Sequence, residues 1–223
     1  MSHIQLATDA PFVLRLAADA GLATHIVGAS LAMLAGAVAI AAKKGDRLHR
    51  QAGNVFFAAM LAMGAAAAVT SPFLPDRFTA VMGVFIVYLV ATAWAVVRRP
   101  AGTLGWVEPV FLGLGVAVAV AFEGLALLGA LRHHGILDGE PAGVGFVIGA
   151  VALLGVLGDW RMIGAGGISA AARTARHLWR MTLAWPSPGA PSPASRWRSR
   201  RRCGAPRGSS CRRSVSSRSW RSG

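Results

Sequence analysis

The sequence predicts an all-α, polytopic transmembrane helix bundle with five spans, followed by a disordered C-terminal tail. Two observations predict this fold class. Hydrophobic residues make up 54% of the 223 residues and the mean hydropathy is +0.52, which is too apolar for an ordinary soluble domain. The apolar residues are also gathered into five stretches, each near the length that crosses a bilayer as a helix.

The five spans are separated by charges, glycines and prolines. They are Gly21–Ala42, Val55–Phe73, Phe78–Val97, Leu104–Leu131 and Ala142–Gly158. The fifth has 17 residues and five glycines, so its length is marginal and its helix propensity is poor. Residues 1–20 are predicted to form an interfacial segment with a short amphipathic helix that begins near Asp9, since the acids and Arg15 exclude a secretory signal.

The formal net charge of +14 is divided unevenly along the chain. Residues 186–223 contain ten arginines and no acidic residue, so most of the basic excess belongs to this tail. Ser, Arg and Pro dominate the tail, which is typical of disorder. The transmembrane domain is therefore expected to comprise residues 21–185. The tail contains no folded recognition module, so no specific nucleic-acid partner is expected.

The loop charges test the five spans independently, because short cytoplasmic loops collect Lys and Arg. Strict alternation of five spans divides the basic residues of the body ten to three. The larger group is Lys43, Lys44, Arg47, Arg50, Arg98, Arg99, Arg161, Arg173, Arg176 and Arg180, and the smaller is Arg15, Arg77 and Arg132. This division predicts that the N-terminus lies outside and that the tail is cytoplasmic.

Ionisable residues within spans are costly and usually face the bundle or a wet cavity. His25 shares a helical face with the small residues Gly28, Ala29 and Ala32, which predicts that it faces the bundle. A structural hydrogen bond and a ligand or proton-handling role both remain open for it. Glu123 is expected on the same membrane half, where it either bonds to His25 or is protonated or hydrated in a glycine-lined crevice.

Four basic residues share one helical stripe at spacings i, i+3, i+4 and i+7, namely Arg173, Arg176, His177 and Arg180. A basic stripe with an apolar back at a membrane boundary suits anionic headgroups on the cytoplasmic side, and specific anion or substrate binding is the alternative. Asp159 and Arg161, at the end of the fifth span, are expected to pair with these groups. Glu108 is expected to reach the inner surface.

A metal site is not expected. His133 and His134 lie together in an external loop, where Asp138 or Glu140 could complete a site. An exposed histidine pair is more often solvated surface.

Several sequence blocks resemble a bacterial family of predicted membrane proteins known as domain of unknown function 2306. The blocks are Thr24-His25-Ile26-Val27-Gly28-Ala29-Ser30-Leu31, Lys44 to Phe57, Tyr88 to Trp94, Asp159-Trp160-Arg161 and Ala175 to Met181. The resemblance covers roughly residues 21–184 and implies a multi-pass inner-membrane protein with no established activity. The recurring polar residues that it implies are His25, His49, Arg50, Asp159, Arg161, His177 and Arg180.

The resemblance also implies a sixth span beginning near Met181, where this chain instead continues from Trp185 into a Pro/Ser-rich segment. The tail consists of residue types with G- and C-rich codons. A frameshift near codons 183–185 would explain why the expected sixth span is missing.

Two function classes follow from these observations. The first is a non-enzymatic membrane protein, either a small transporter or a structural or stress component, with no catalytic residue. The alternative is a redox protein that holds b-type haem with His25, His49 or His177. A membrane enzyme is the least supported class, because the sequence shows no nucleophile–base pair or phosphate loop.

Overall fold

A computed structural model describes residues 12–71 and 76–185 and shows an all-α bundle. Six helices form within these residues, and a short antiparallel hairpin joins the fourth helix to the fifth. The elements are α1 (Phe12–Ala41), α2 (Arg47–Thr70), α3 (Arg77–Arg98), α4 (Val107–Arg132), β1 (Ile136–Leu137), β2 (Glu140–Pro141), α5 (Ala142–Gly164) and α6 (Ala170–Ala184). Helices α1 to α5 are long and apolar enough to cross a membrane, which confirms the predicted five-span bundle. The tail, residues 186–223, lies outside the described residues.

Helices α2 and α5 extend well beyond the predicted apolar stretches. Asp46 caps α2 by accepting a hydrogen bond from the Arg47 backbone N–H at 2.7 Å, so His49 and Arg50 lie in its first turn rather than in a loop. Helix α5 has 23 residues and includes Asp159 and Arg161. At 1.5 Å per residue it is about 34 Å long, so the predicted marginal length was wrong.

The first helix is continuous from Phe12 to Ala41. Residues 12–20 are helical, as expected, but they continue into the first span and do not end as a short helix of their own. Residues 1–11 lie outside the described residues, and an interfacial position for this segment stays a prediction.

Contacts between loops and helix termini define the two ends of the bundle. At the end called inner here, the Gly102 N–H donates to Ile168 O at 3.1 Å, and the Arg98 guanidinium donates to the Asn54 side chain at 3.3 Å. At the outer end, Arg77 pairs with Asp138 of the hairpin at 3.5 Å. The ten basic residues predicted for one side accordingly belong to elements that meet at the inner end.

Helix α6 runs antiparallel to α3 from the inner end into the bundle. Arg173 Nε donates to Val96 O at 2.9 Å, and His177 Nδ1 donates to Ala93 O at 3.0 Å. Arg180 is fully buried, whereas Leu178 and Leu183 on the other face are each 48% exposed. The basic stripe therefore faces the protein interior, and its predicted position against anionic headgroups is wrong.

Helices α2 and α3 cross at two glycines. A Cβ atom added at Gly83 would lie 2.5 Å from the Gly64 carbonyl oxygen and 2.6 Å from the Ala68 backbone nitrogen. Because both are backbone atoms, the helices could accommodate a larger residue only by separating. This close approach is typical of small residues at membrane helix interfaces.

We expect Gly83→Ala to destabilise the bundle by about 1–3 kcal/mol, because the added methyl group overpacks a backbone contact. Gly113→Ala in α4 is the matched control, since no atom lies within 4 Å of its added Cβ and alanine favours a helix. Thermal unfolding in detergent measures both variants. Equal melting temperatures for Gly83→Ala and wild type would contradict the crossing.

Candidate functional site

A charged cluster lies where α3, α5 and α6 meet. It consists of Tyr88 and Thr92 from α3, Asp159 from α5, and Arg176 and Arg180 from α6. Thr92 is six residues before the end of α3, which places the cluster about 9 Å from the inner end of the bundle. The cluster therefore lies within the helical bundle and not at its surface.

The guanidinium group of Arg180 links the three helices. Its Nη2 donates to Asp159 Oδ1 at 2.9 Å, to Gly155 O at 3.0 Å and to the Tyr88 hydroxyl at 3.2 Å. Its Nη1 donates to the Thr92 hydroxyl, and its Cζ lies 5.0 Å from the centroid of the Tyr88 ring. Arg180 thereby docks α6 against α3 and α5.

Asp159 supplies the one carboxylate of the charged cluster, and its side chain is 2% exposed. Its Oδ1 pairs with both Arg176 and Arg180, and its Oδ2 accepts the Tyr88 hydroxyl. The predicted pairing of Asp159 with the basic stripe is confirmed by these contacts. A buried carboxylate is tolerated only when such partners compensate its lost hydration.

The buried charges of the cluster do not balance. Two guanidinium groups face one carboxylate, and arginine stays protonated in proteins. Within the described residues, Nε of Arg176 and Nε of Arg180 have no hydrogen-bond partner. The cluster therefore carries one positive charge in excess and two unpartnered donors.

A crevice, here called the inner crevice, leads from the inner end to the charged cluster. Polar residues in its lining include Thr92, Arg99, Glu108, Asp159, Arg173 and Arg176. Its cavity volume is about 20 Å³. This space exceeds what one water needs, so the crevice can admit water or a small solute.

A second ion pair lies at the mouth of the inner crevice. Glu108 is buried and pairs with Arg99 at 3.1 Å. Its other oxygen accepts the Gly105 N–H at 2.7 Å, just before the start of α4. The expected reach of Glu108 to the inner surface is therefore wrong, because the carboxylate folds back over its own helix terminus.

The other sequence-predicted residues lie apart from the cluster. Arg161 is exposed and has no partner among residues 12–71 and 76–185, so its predicted pairing is wrong. Arg50 donates to the Gly45 carbonyl at 3.0 Å and stabilises the turn between α1 and α2. His49 and His177 each donate Nδ1–H to a backbone carbonyl on a neighbouring helix, at 2.9 Å and 3.0 Å.

His25 does not face the bundle. Gly28 and Ala32 are buried as predicted, but His25 is exposed and has no hydrogen-bond partner within the described ranges. Helix α1 packs chiefly on α2, and the exposed His25 lies outside that contact. The expected alternative of a bond to Glu123 is wrong as well.

Glu123 instead packs against Gly149 of α5. A Cβ atom added at Gly149 would lie 2.5 Å from Glu123 Oε1, so the glycine makes room for the carboxyl group. This contact agrees with the predicted glycine-lined position. In the part of the chain that the structure describes, no three His, Cys, Asp or Glu side chains are grouped to hold a metal ion.

The sequence-based site omitted Tyr88 and Thr92. Tyr88 is the only tyrosine of the chain, and Thr92 follows it by one helical turn within an apolar span. Two polar side chains at i and i+4 in such a span indicate a polar face inside the bundle. That signal could have located the α3 side of the charged cluster.

We expect Asp159→Asn to destabilise the protein by about 3–5 kcal/mol, because the isosteric change leaves two buried guanidinium groups without a counter-charge. Arg161→Gln, two residues away on the exposed face of α5, should change stability by less than about 0.5 kcal/mol. Thermal or denaturant unfolding in detergent compares the two. A similar loss in both variants would contradict the charged cluster as the stabilising contact.

Comparison with known proteins supports the predicted resemblance. Neither the curated proteins nor the solved structures contain a match to this chain. Residues 22–101, which extend from α1 to the end of α3, match the model of a family described as predicted membrane protein, DUF2306. The chain is thus a multi-pass membrane protein, and its resemblance to domain of unknown function 2306 is confirmed over residues 22–101.

Proposed function

We propose that this membrane protein is a small, non-enzymatic transporter that admits a solute through the inner crevice to the charged cluster. The observation that carries the proposal is the crevice itself, which connects the inner end of the bundle to buried charges. Charges inside a bundle are costly and commonly belong to substrate or ion pathways. A site buried among helices and open to one end has the form that alternating access requires.

The chemistry of the inner crevice supports a non-enzymatic role. Its lining contains no His, Cys or Ser side chain. The hydroxyl of Thr92 is bonded to the backbone carbonyls of its own helix, at 2.6 Å to Tyr88 O and 3.1 Å to Leu89 O. The other hydroxyl of the lining, that of Thr103, donates to Pro100 O at 2.8 Å, so neither hydroxyl is hydrogen-bonded to a base there.

We infer that the inner end faces the cytoplasm of a bacterial cell. The loops between α1 and α2 and between α3 and α4 contribute Lys43, Lys44 and Arg99 to that end. The rule that basic residues remain inside then puts the N-terminus outside and the tail in the cytoplasm. Exposed basic side chains such as Arg47 would meet anionic headgroups there.

Light-scattering measurements on swelling proteoliposomes test transport with a panel of small salts and neutral solutes. We expect faster swelling than in protein-free vesicles for at least one solute. Arg176→Gln should slow this swelling about tenfold or more, and Arg161→Gln should leave it unchanged. Folded protein that accelerates no solute would overturn transport and favour the structural role, in which the charged cluster only docks α6.

The haem alternative keeps one specific observation in its favour. In His49 and His177, Nδ1–H donates to a backbone carbonyl oxygen, and Nε2 has no hydrogen-bond partner in the described residues. Metal-binding histidines are commonly oriented in this way. His25 does not share the arrangement, since it is exposed and unbonded within the described ranges.

An absorption spectrum of the purified protein tests this alternative. Haem ligation by these histidines predicts a Soret band that is lost in His49→Ala or His177→Ala and retained in His25→Ala, the matched control. No Soret band at any haem loading would exclude the redox function. A band that survives both inner substitutions would exclude these two ligands.

A further inference from the structure

The charged cluster has an excess positive charge that a bound anion would neutralise. Arg176 and Arg180 are 7% and 0% exposed, and Asp159 is their one carboxylate partner. Both Asp159 oxygens are already engaged, Oδ1 by the two arginines and Oδ2 by Tyr88. A net charge in a low-dielectric interior is expensive unless a counter-ion accompanies it.

Within the described residues, the chain places no carboxylate other than Asp159 in an ion pair with Arg176 or Arg180. It has nine acidic residues, of which only Asp9 lies outside the described residues. Asp46 and Asp76 cap helices, Asp138 pairs with Arg77 at the outer end, and Glu108 pairs with Arg99. Glu108 also attracts Arg176, but it is shared with Arg99. Four guanidinium groups, those of Arg99, Arg173, Arg176 and Arg180, therefore face two carboxylates at the crevice and the cluster, an excess that a bound anion would reduce.

The inner crevice brings a solute to the charge excess. Arg176 lines the crevice and is more than nine-tenths buried, and its Nε has no partner among the described residues. Thr92 and Asp159 line the same cavity. The unpartnered donor and the access route thus occur at one place, and they are separate observations from the charge count.

The dimensions of the cavity limit the size of the anion. The cavity volume is about 20 Å³, which is room for one or two water-sized particles. We propose that the inner crevice binds one small monovalent anion, of the size of chloride or bromide, at Arg176 beside the Arg180–Asp159 pair. This inference deepens the proposed transport function, and it rests on that function for the role of the bound anion.

Thermal unfolding of the full chain in an uncharged detergent tests the site. Chloride is titrated against gluconate at constant ionic strength, so that only specific binding changes the melting temperature. We expect a saturable rise with chloride and with bromide, since a ligand of the folded state stabilises it by mass action. Orthophosphate and vesicles containing phosphatidylglycerol should give no saturable rise, and equal or stronger stabilisation by either would overturn the small-anion assignment.

Variants separate this site from nonspecific salt effects. Arg176→Gln should weaken the affinity for chloride, read from the midpoint of the titration, about tenfold or more, because a charged donor is lost. Arg161→Gln should retain the wild-type affinity. Radiolabelled chloride binding to wild-type protein, at one ion per chain, gives a measurement that needs no variant. Absence of saturable binding to folded wild-type protein would overturn the proposal.

The two proposals fail in distinguishable ways. Saturable chloride binding without solute flux in proteoliposomes would support the anion site and remove the transport function. Flux without chloride binding would support transport and overturn the anion site. Chloride flux that falls together with chloride binding in Arg176→Gln would support both.

Discussion

The buried carboxylate of Asp159 is the constraint on which the inner half of this bundle depends. It accepts contacts from Arg176, Arg180 and Tyr88, and these belong to two other helices. Apolar helices in lipid gain little from associating with one another, because lipid tails are as apolar as their side chains. A charge that cannot be left unpaired therefore determines which helices must meet and at what depth.

The inward position of the basic stripe follows from the same constraint. A basic stripe with an apolar back can lie on the membrane surface or insert with its charges turned inward. Surface binding gains headgroup contacts, whereas insertion gains a carboxylate, carbonyl acceptors and burial of the stems. Asp159, together with the carbonyls of Ala93, Val96 and Gly155, supplies those acceptors. The exposed leucines on the opposite face then suit lipid.

The proposed anion site would couple binding to stability at the charged cluster. The residues that dock α6 are the ones proposed to bind an anion, so occupancy of the inner crevice would alter how firmly α6 is held. A rigid buried cluster and an exchangeable ligand place opposing demands on Arg176. Arg176 lines the crevice whereas Arg180 is completely buried, so the proposed site would divide those roles between the two arginines.

Hydropathy and the alternation of loop charges determined the fold class, the five spans and the grouping of basic residues at one end, because these depend on local composition and on the thickness of a bilayer. The sequence also predicted the pairing of Asp159 with the basic stripe, since an intramembrane acid requires a cation. The exposure of His25, the burial of Arg180 and the contribution of Tyr88 were decided only by the tertiary structure. Periodicity identifies a helical face, but which neighbour covers that face depends on how the helices pack, and one sequence read along its length does not contain that information.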